Sequence, residues 1–476
     1  MKTDDRIRLG GESPNTGTSY LTMASPKSDF GNHSRRSVRP KFGSMAWFKS
    51  RTEDSAAAGS SAGTAGERAA LLPNEEYRLA RRPRPSRSRL WLLPAITFLL
   101  MMSFLTHQCT VWFFGGTYVT KGQTLATQLE YTHRVGFWIE GNGKLEGSLE
   151  VLEVGDSEEP KLEVEVFPLT WDTKGFSSVQ LENLPTGVAL KCERGLERSW
   201  FWRTIPRIKV SAKLYLRVEK LRELSISTNT LDLQLNLQNA DLLKTVINSK
   251  TGNFKSPNPF KSLDTEIRTT EGDISGPFAL YDRLRLLTEA GNIDIRAIPQ
   301  EGTDTATTKL RTSSGDIKVG FEESTISRGF ETAIETTSGN VKGDLLLGSN
   351  LFVKSESGDI GIHVSGTDST ESFFRTENSS GMTNVKVVGG RMRKVISYHT
   401  SESRDVHVSY PSTWEGEIHA KTVSGDIRLE GDGVEVTQEL EGLVRGQEIW
   451  AEKGNPSNGR LIARATNGDV ILSIGR

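Results

Sequence analysis

The sequence predicts an all-β fold, and three observations carry that expectation. Gly is abundant at 46 of 476 residues against a hydrophobic content of 35%, a balance suited to turn-rich β structure. A tight-turn stretch, 312-TSSGDIKVG-320, returns as 336-TTSGNVKGD-344, 355-SESGDIGIH-363, 422-TVSGDIRLE-430 and 466-TNGDVILSI-474. Between turns, β-prone residues alternate: in 351-LFVKSESGDIGIHV-364, Ile360, Ile362 and Val364 share one face, and Asp359, Gly361 and His363 share the other.

Residues 1–89 stand apart from that pattern. They carry 17 Lys/Arg against 9 Asp/Glu, or +8, while the whole chain is at −1 and so leaves −9 for the remainder. Ser, Gly, Pro and basic residues without apolar periodicity cannot offset the entropy of ordering, so this segment reads as a disordered tail. Within it, 67-ERAALLP-73 resembles the acidic-dileucine sorting signal. Glu67 would supply the carboxylate and Leu71 and Leu72 the apolar pair held by clathrin adaptors. That resemblance implies delivery to endosomal, lysosomal or vacuolar membranes rather than simple residence at the surface, with the plasma membrane as the alternative location.

The next element, residues 90–114, reads as a transmembrane helix. Leu90 to Leu105 includes only Thr97 and Ser103 as polar members, and no charge appears through Gly116. About 20 apolar residues suffice to cross the hydrocarbon core. Trp91 at one end and Trp112, Phe113 and Phe114 at the other suit the interfacial belts. Five arginines in 81-RRPRPSRSR-89 precede the span, and no base follows until Lys121. The positive-inside rule therefore sets a single-pass, type II signal-anchor arrangement, N-terminus cytosolic and C-terminal part lumenal or extracellular. The arginines are read as an orientation signal.

Residues 115–223 form a membrane-proximal β region. The runs 148-SLEVLEV-154 and 161-KLEVEVF-167 alternate around the polar turn 155-GDSEEP-160 and read as paired strands. The stretch 198-RSWFWRTIPRIKV-210, with Trp200, Phe201 and Trp202, reads as the cap of a repeat array, with ligand stacking as the alternative.

From 224 to 476 the chain is a repeat. The turn glycines Gly252, Gly272, Gly291, Gly315, Gly339, Gly358 and Gly381, then Arg404 in their place, then Gly425 and Gly468, are spaced 20, 19, 24, 24, 19, 23, 23, 21 and 43 apart, the last close to two units. An earlier, worn copy is 227-STNTLDLQL-235. Glycine at a sharp corner is expected to supply positive φ, and a neighbouring Asp or Asn to hydrogen-bond nearby backbone. Arg404 breaks the rule, so its corner should be built differently.

This series resembles the putative-adhesin family, a repeat β domain of unknown function in bacterial and fungal membrane-anchored proteins. The resemblance covers 224–476 and implies a right-handed β-solenoid-like array without catalytic residues. Periodicity alone leaves a second architecture open, since Gly-Asp between strands also suits hairpins in a propeller-like array.

Chemistry at the corners is disfavoured. Asp273, Asp316, Asp359, Asp426 and Asp469 would form a ladder if the corners align, yet one Asp per corner cannot supply the six to eight oxygens of calcium. Glycoside cleavage needs two differentiated carboxylates, which identical corners do not provide. Asn292 and Asn340 replace Asp in two copies, which suits geometry and would spoil a charge-dependent role. Gly272, Gly315, Gly339, Gly358, Gly425 and Gly468, with Asp273, Asp316, Asn340, Asp359, Asp426 and Asp469, are therefore corner positions.

His133, His363, His399, His407 and His419 show no metal-binding spacing, and 141-GNGKLEG-147 lacks a phosphate-loop ending. With two cysteines, Cys109 and Cys192, the first inside the apolar segment, no disulfide framework or Cys-based zinc site is expected. Asn378 in 378-NSS-380 is the expected glycosylation site and would report topology.

The function expected is a non-catalytic β-repeat ectodomain for adhesion, ligand binding or structural support. Its partners would be the bilayer, a cell-surface or cell-wall glycan or protein, and a clathrin adaptor through the tail, with no nucleic acid and no cofactor. The alternatives are a membrane-tethered β-helical enzyme acting on polysaccharide and an endomembrane protein sorted by its tail.

Overall fold

The computed structural model describes residues 97–103 and 121–475, with gaps at 132, 141–144, 169–178, 193–207, 323–325, 327, 367–370, 390–393 and 442–445. The acidic-dileucine stretch and the aromatics Trp200, Phe201 and Trp202 lie outside the described residues. Helical residues 97–103 are the described part of the expected transmembrane span, and among the described residues no helix is long and apolar enough to cross a membrane.

The rest is a β-solenoid. Each coil is a strand, a corner at the repeated Ser-Gly-Asp stretch and a second strand, and each strand pairs in parallel with its counterpart one coil away. The strands before the corner, such as Ala306–Thr312, Phe330–Thr336, Asn350–Ser355, Ser372–Asn378 and Val395–Ser401, form one ladder. The strands after it, such as Ile317–Phe321, Val341–Leu347, Ile360–Gly366, Thr383–Val388 and Val406–Tyr410, form the other. Parallel coil-to-coil pairing excludes the propeller-like alternative, whose blades would be built from antiparallel hairpins.

Alternation makes this geometry. Successive side chains point to opposite faces, so every second residue of both ladders enters the space between them. One interior column runs Ile267, Leu286, Leu310, Ile334 and Val353 in register, all essentially without exposure. The opposite ladder supplies Ile274, Ile293, Ile317, Val341 and Ile360. Each such side chain contributes about 1.5–3 kcal/mol on burial. Farther along, the first column turns polar at Thr376 and His399.

Chain order and spatial order part company at both ends. The coil 459–474 lies between the coil 395–410 and the coil 416–431, pairing in parallel with both. The 43-residue interval between Gly425 and Gly468 is therefore not two stacked units. It contains Val434–Glu441 and Gln447–Lys453, which pair antiparallel beyond Gly416–Thr422. At the other end the coil 134–153 lies between the coil 187–216 and the coil 223–236. Antiparallel strands Lys161–Pro168 and Val179–Leu184 then close that end.

No break therefore falls at residue 224: the coil 134–153 stacks directly on the first coil beyond it, and one apolar core runs from Leu129 to Ile474. The described coils between 134 and 216 thus belong to the same solenoid. Antiparallel strands at both ends cover edges that would otherwise template pairing with other chains.

Candidate binding surface

The corners bring the repeated residues together as two hydrogen-bonded ladders. In the outer ladder, each corner Asp or Asn accepts, through Oδ1, the backbone N–H of the equivalent residue one coil on. Asp273 thus serves Asn292 at 2.7 Å, Asn292 serves Asp316 at 2.9 Å, Asp316 serves Asn340 at 2.8 Å and Asn340 serves Asp359 at 2.9 Å. The worn copy joins in, since Asp232 Oδ1 accepts from Asn253 N–H at 2.9 Å.

Acid and amide alternate along this stack, as Asp232, Asn253, Asp273, Asn292, Asp316, Asn340 and Asp359. Each Asn also donates Nδ2–H to the Asp below it, at 3.0, 3.3 and 3.1 Å for Asn253, Asn292 and Asn340. Alternation thus adds a hydrogen bond and keeps carboxylates two coils apart. At the far end it lapses: after Met382, Asp405, Asp469 and Asp426 stack consecutively, with Asp469 N–H on Asp405 Oδ1 and Asp426 N–H on Asp469 Oδ1, both at 2.9 Å.

The inner ladder stands three residues before most of the corner glycines, where a buried Ser, Thr or Asn donates to the corner carbonyl of the preceding coil; before Gly468 the position is Ala465. Thr312 reaches Gly291 O at 2.9 Å, Thr336 reaches Gly315 O at 3.1 Å and Thr422 reaches Gly468 O at 2.8 Å. Asn378 occupies this position. It is 4% exposed, donates Nδ2–H to Gly358 O at 2.9 Å and accepts Gly381 N–H at 2.9 Å. A glycan on that nitrogen cannot coexist with the corner, so the expected modification conflicts with the fold.

The corner glycines also correct an expectation. None of them has positive φ; the glycines that do include Gly276, Gly343 and Gly416, on strands. What the corner requires is close stacking. A Cβ at Gly315 would lie 2.0 Å from Gly291 O, and one at Gly358 would lie 1.9 Å from Gly339 O. Arg404 keeps one usual bond, N–H to Ser401 Oγ at 3.2 Å, while carrying the side chain that the other corners lack.

With the corner acids bonded to backbone, the solenoid's outer faces are what a partner could meet, and they differ. The ladder after the corner presents polar and small residues, including Lys318 paired with Asp294 at 3.4 Å, Gly361, His363 and Lys386. The ladder before the corner carries an aromatic stripe. Successive coils place Phe352, Arg375, Tyr398, Ile462, His419 and Trp450 in one register row. Phe373, 39% exposed, stands in the adjacent row with its ring 5.6 Å from Tyr398.

The rings are held in place. Arg375 lies over Phe352, 6.0 Å from the ring centre. His419 stacks on Trp450 with centroids 4.9 Å apart and planes 10° apart. Its Nε2 is 2.7 Å from Glu448 Oε1, and Lys421 Nζ is 2.9 Å from Glu448 Oε2. Burial alone would raise Glu448, but the hydrogen bonds from Lys421 and His419 outweigh it and hold the carboxyl below its ordinary range. A concavity at this end of the stripe is lined by Glu417, His419, Thr437, Trp450 and Arg460.

His419 is thus part of this surface, while His399 is fully buried against Phe374, its Nδ1 2.9 Å from Thr376 Oγ1. Among the described residues no group of three or more His, Cys, Asp or Glu is placed to hold a metal ion. Sequence reading missed the stripe because its members come from different coils. The signal available was the outward position in each alternating strand.

Residues 298–440 match the family described as Toastrack DUF4097, a β-solenoid fold, in keeping with the resemblance to the putative adhesins. No curated protein matches the chain. Among solved structures, a putative cell adhesion protein from Clostridium sporogenes is similar at 9% identity and TM-score 0.15, over 75% of this chain and 100% of that one. A putative adhesin from Parabacteroides distasonis is similar at 10% identity and TM-score 0.27, over 74% and 97%. A putative lipid binding protein from the same organism is similar at 11% identity and TM-score 0.24, over 75% and 98%.

Proposed function

We propose that this chain, with its Toastrack domain at residues 298–440, is a non-catalytic scaffold that binds an external surface through the aromatic stripe. The observation that carries the reading is the contrast between its two outer faces. Both are built by the same alternation, yet only one collects Phe352, Phe373, Tyr398 and Trp450. Aromatic residues with polar neighbours are the residue types that dominate binding energy at interfaces. The repeated corner acids are engaged by backbone N–H groups, which supports a structural role for them rather than catalysis.

The scaffold is membrane-anchored in this reading. Phe98, Leu99, Leu100, Met101 and Met102 expose 44–68% of their surface on helical residues 97–103, an apolar run that suits lipid. The arginines before the span would hold the N-terminus in the cytosol, and Glu67, Leu71 and Leu72 would direct the protein to endosomal or vacuolar membranes. Replacing Leu71 and Leu72 with Ala should shift a fluorescent fusion to the cell surface; an unchanged location removes the sorting signal from the reading.

The test of the binding role uses full-length protein in detergent, incubated with cell-wall and cell-surface preparations. Replacing Phe352, Tyr398 and Trp450 by Ser should abolish retention, whereas replacing Lys318, Asn384 and Lys386 on the other face should not. Release of new reducing or unsaturated ends by the wild-type protein would overturn the non-catalytic assignment.

A further inference from the structure

Resting on the stripe as the working surface, we infer that its ligand is an uncharged linear polysaccharide lying along the coil-stacking direction, one sugar to each coil. Three features lead there. The first is step length. Neighbouring coils stand about 4.8 Å apart, so the row from Phe352 to Trp450 spans five steps, or about 24 Å. A pyranose unit in an extended glycan advances by a comparable length, so a chain over this row stays in register with it. A globular protein partner has no reason to repeat at this interval.

The second feature is the chemistry of the row. Phe352, Tyr398 and Trp450 are half-buried rings backed by the sheet, with Arg375 over one face of Phe352 and His419 over one face of Trp450, and their uncovered parts offer rigid apolar contact to the C–H groups of sugars. The neighbouring rows carry hydroxyl-binding groups, among them Thr400, Arg464, Arg460 and Glu417. The concavity beside Trp450 brings Thr437, Glu452 and Arg460 around one ring and suits the terminal sugar.

The third is charge complementarity. From the strand Asn350–Ser355 onward this face carries five bases (Lys354, Arg375, Arg460, Arg464, Lys421) and five acids (Glu377, Glu417, Glu435, Glu448, Glu452), a net of 0. Several are already paired: Arg375 with Glu377, Arg460 with Glu417 at 2.6 Å, and Lys421 with Glu448 at 2.9 Å. A sulfated or uronic-acid polymer, or an anionic bilayer, would find little excess positive potential here. A neutral polymer needs none.

The test is binding of full-length protein in detergent to neutral hexasaccharides of β-1,4-glucose, β-1,3-glucose, β-1,4-N-acetylglucosamine and mannose, with a heparin hexasaccharide as the anionic probe. At least one neutral hexasaccharide should bind at least tenfold more tightly than its own disaccharide. Trp450→Ala and Tyr398→Ala should each weaken it about tenfold. Trp450→Phe should restore most of the affinity, and Asn384→Ala on the other face should change nothing. Preference for heparin, or equal affinity for disaccharide and hexasaccharide, would overturn the neutral or axial part of the inference. Stripe-dependent retention on cell surfaces without binding to any neutral glycan would overturn the ligand class and leave the working surface intact. Normal retention and glycan binding by a folded Trp450→Ala variant would sink the surface itself.

Discussion

The lapse in corner alternation makes Asp469→Asn a stabilising substitution. Asp469 lies between Asp405 and Asp426, bonded to both through Oδ1 and backbone N–H at 2.9 Å. An Asn keeps its Oδ1 for Asp426 N–H and places Nδ2–H against Asp405, as Asn340 does toward Asp316 at 3.1 Å. One added hydrogen bond contributes about 0.5–1.5 kcal/mol. The substitution also removes two like-charge contacts near 5 Å, each worth at most about 0.8 kcal/mol in water and less once salt screens it. The expected gain is about 1–2 kcal/mol, or an increase of about 2–4 °C in the unfolding midpoint of the C-terminal coils. Thermal unfolding followed by β-sheet circular dichroism, in low salt and in 0.5 M salt, measures it. The reverse swap, Asn340→Asp, puts three acids in a row from Asp316 to Asp359 and should cost a similar amount. If the two substitutions shift the midpoint in the same direction, or neither shifts it, the alternation has no energetic meaning.

Gly315→Ala should cost about 2–4 kcal/mol, because its Cβ would lie 2.0 Å from a carbonyl oxygen, whereas Gly361→Ala, with nothing within 4 Å, should be neutral or mildly stabilising; chemical denaturation compares them. Asn378→Thr should fold normally, since Thr fills the same position at other corners, while Asn378→Ala should lose about 1–3 kcal/mol. Treatment with an N-glycosidase should leave the mobility of the wild-type protein unchanged. His399, which burial pushes down from 6.5 to about 3, stays neutral in the fold while the unfolded chain takes up a proton. Stability should therefore be full above pH 6.5 and fall between pH 6.5 and about 3, by up to about 5 kcal/mol in total. His399→Gln should flatten that slope in denaturation curves taken from pH 7 to pH 4.

What sequence reading reached, and what it did not, divides by range. The corners were legible because Ser or Thr, Gly, and Asp or Asn fall within five residues, and because alternation around them assigns inside and outside. The Thr312, Thr336 and Thr422 ladder was present at a constant offset from the glycine, but its meaning needs the preceding coil's carbonyl. The reason for glycine was misassigned from φ to stacking for the same cause. Nothing local marks the placement of the coil 459–474 between 395–410 and 416–431, because each strand there could pair acceptably with several others. The stripe combines Phe352, Tyr398 and Trp450, one residue from each of three distant segments. It becomes visible only once their coils are ordered in space.

That interposed coil carries a consequence for how the chain comes to be made. Coils 395–410 and 416–431 leave the ribosome as neighbours and offer each other matching edges, yet in the finished molecule they do not touch through those strands. They must stay apart, or separate again, until residues 459–474 emerge. The N-terminal coils face the opposite schedule, since 134–153 precedes both of the coils that enclose it. Residues 459–474 thus act as the wedge that fixes the order of the two coils they separate. A nascent chain stalled shortly before residue 459 would leave those two edges open to each other, and residues 459–474 would have to enter between them.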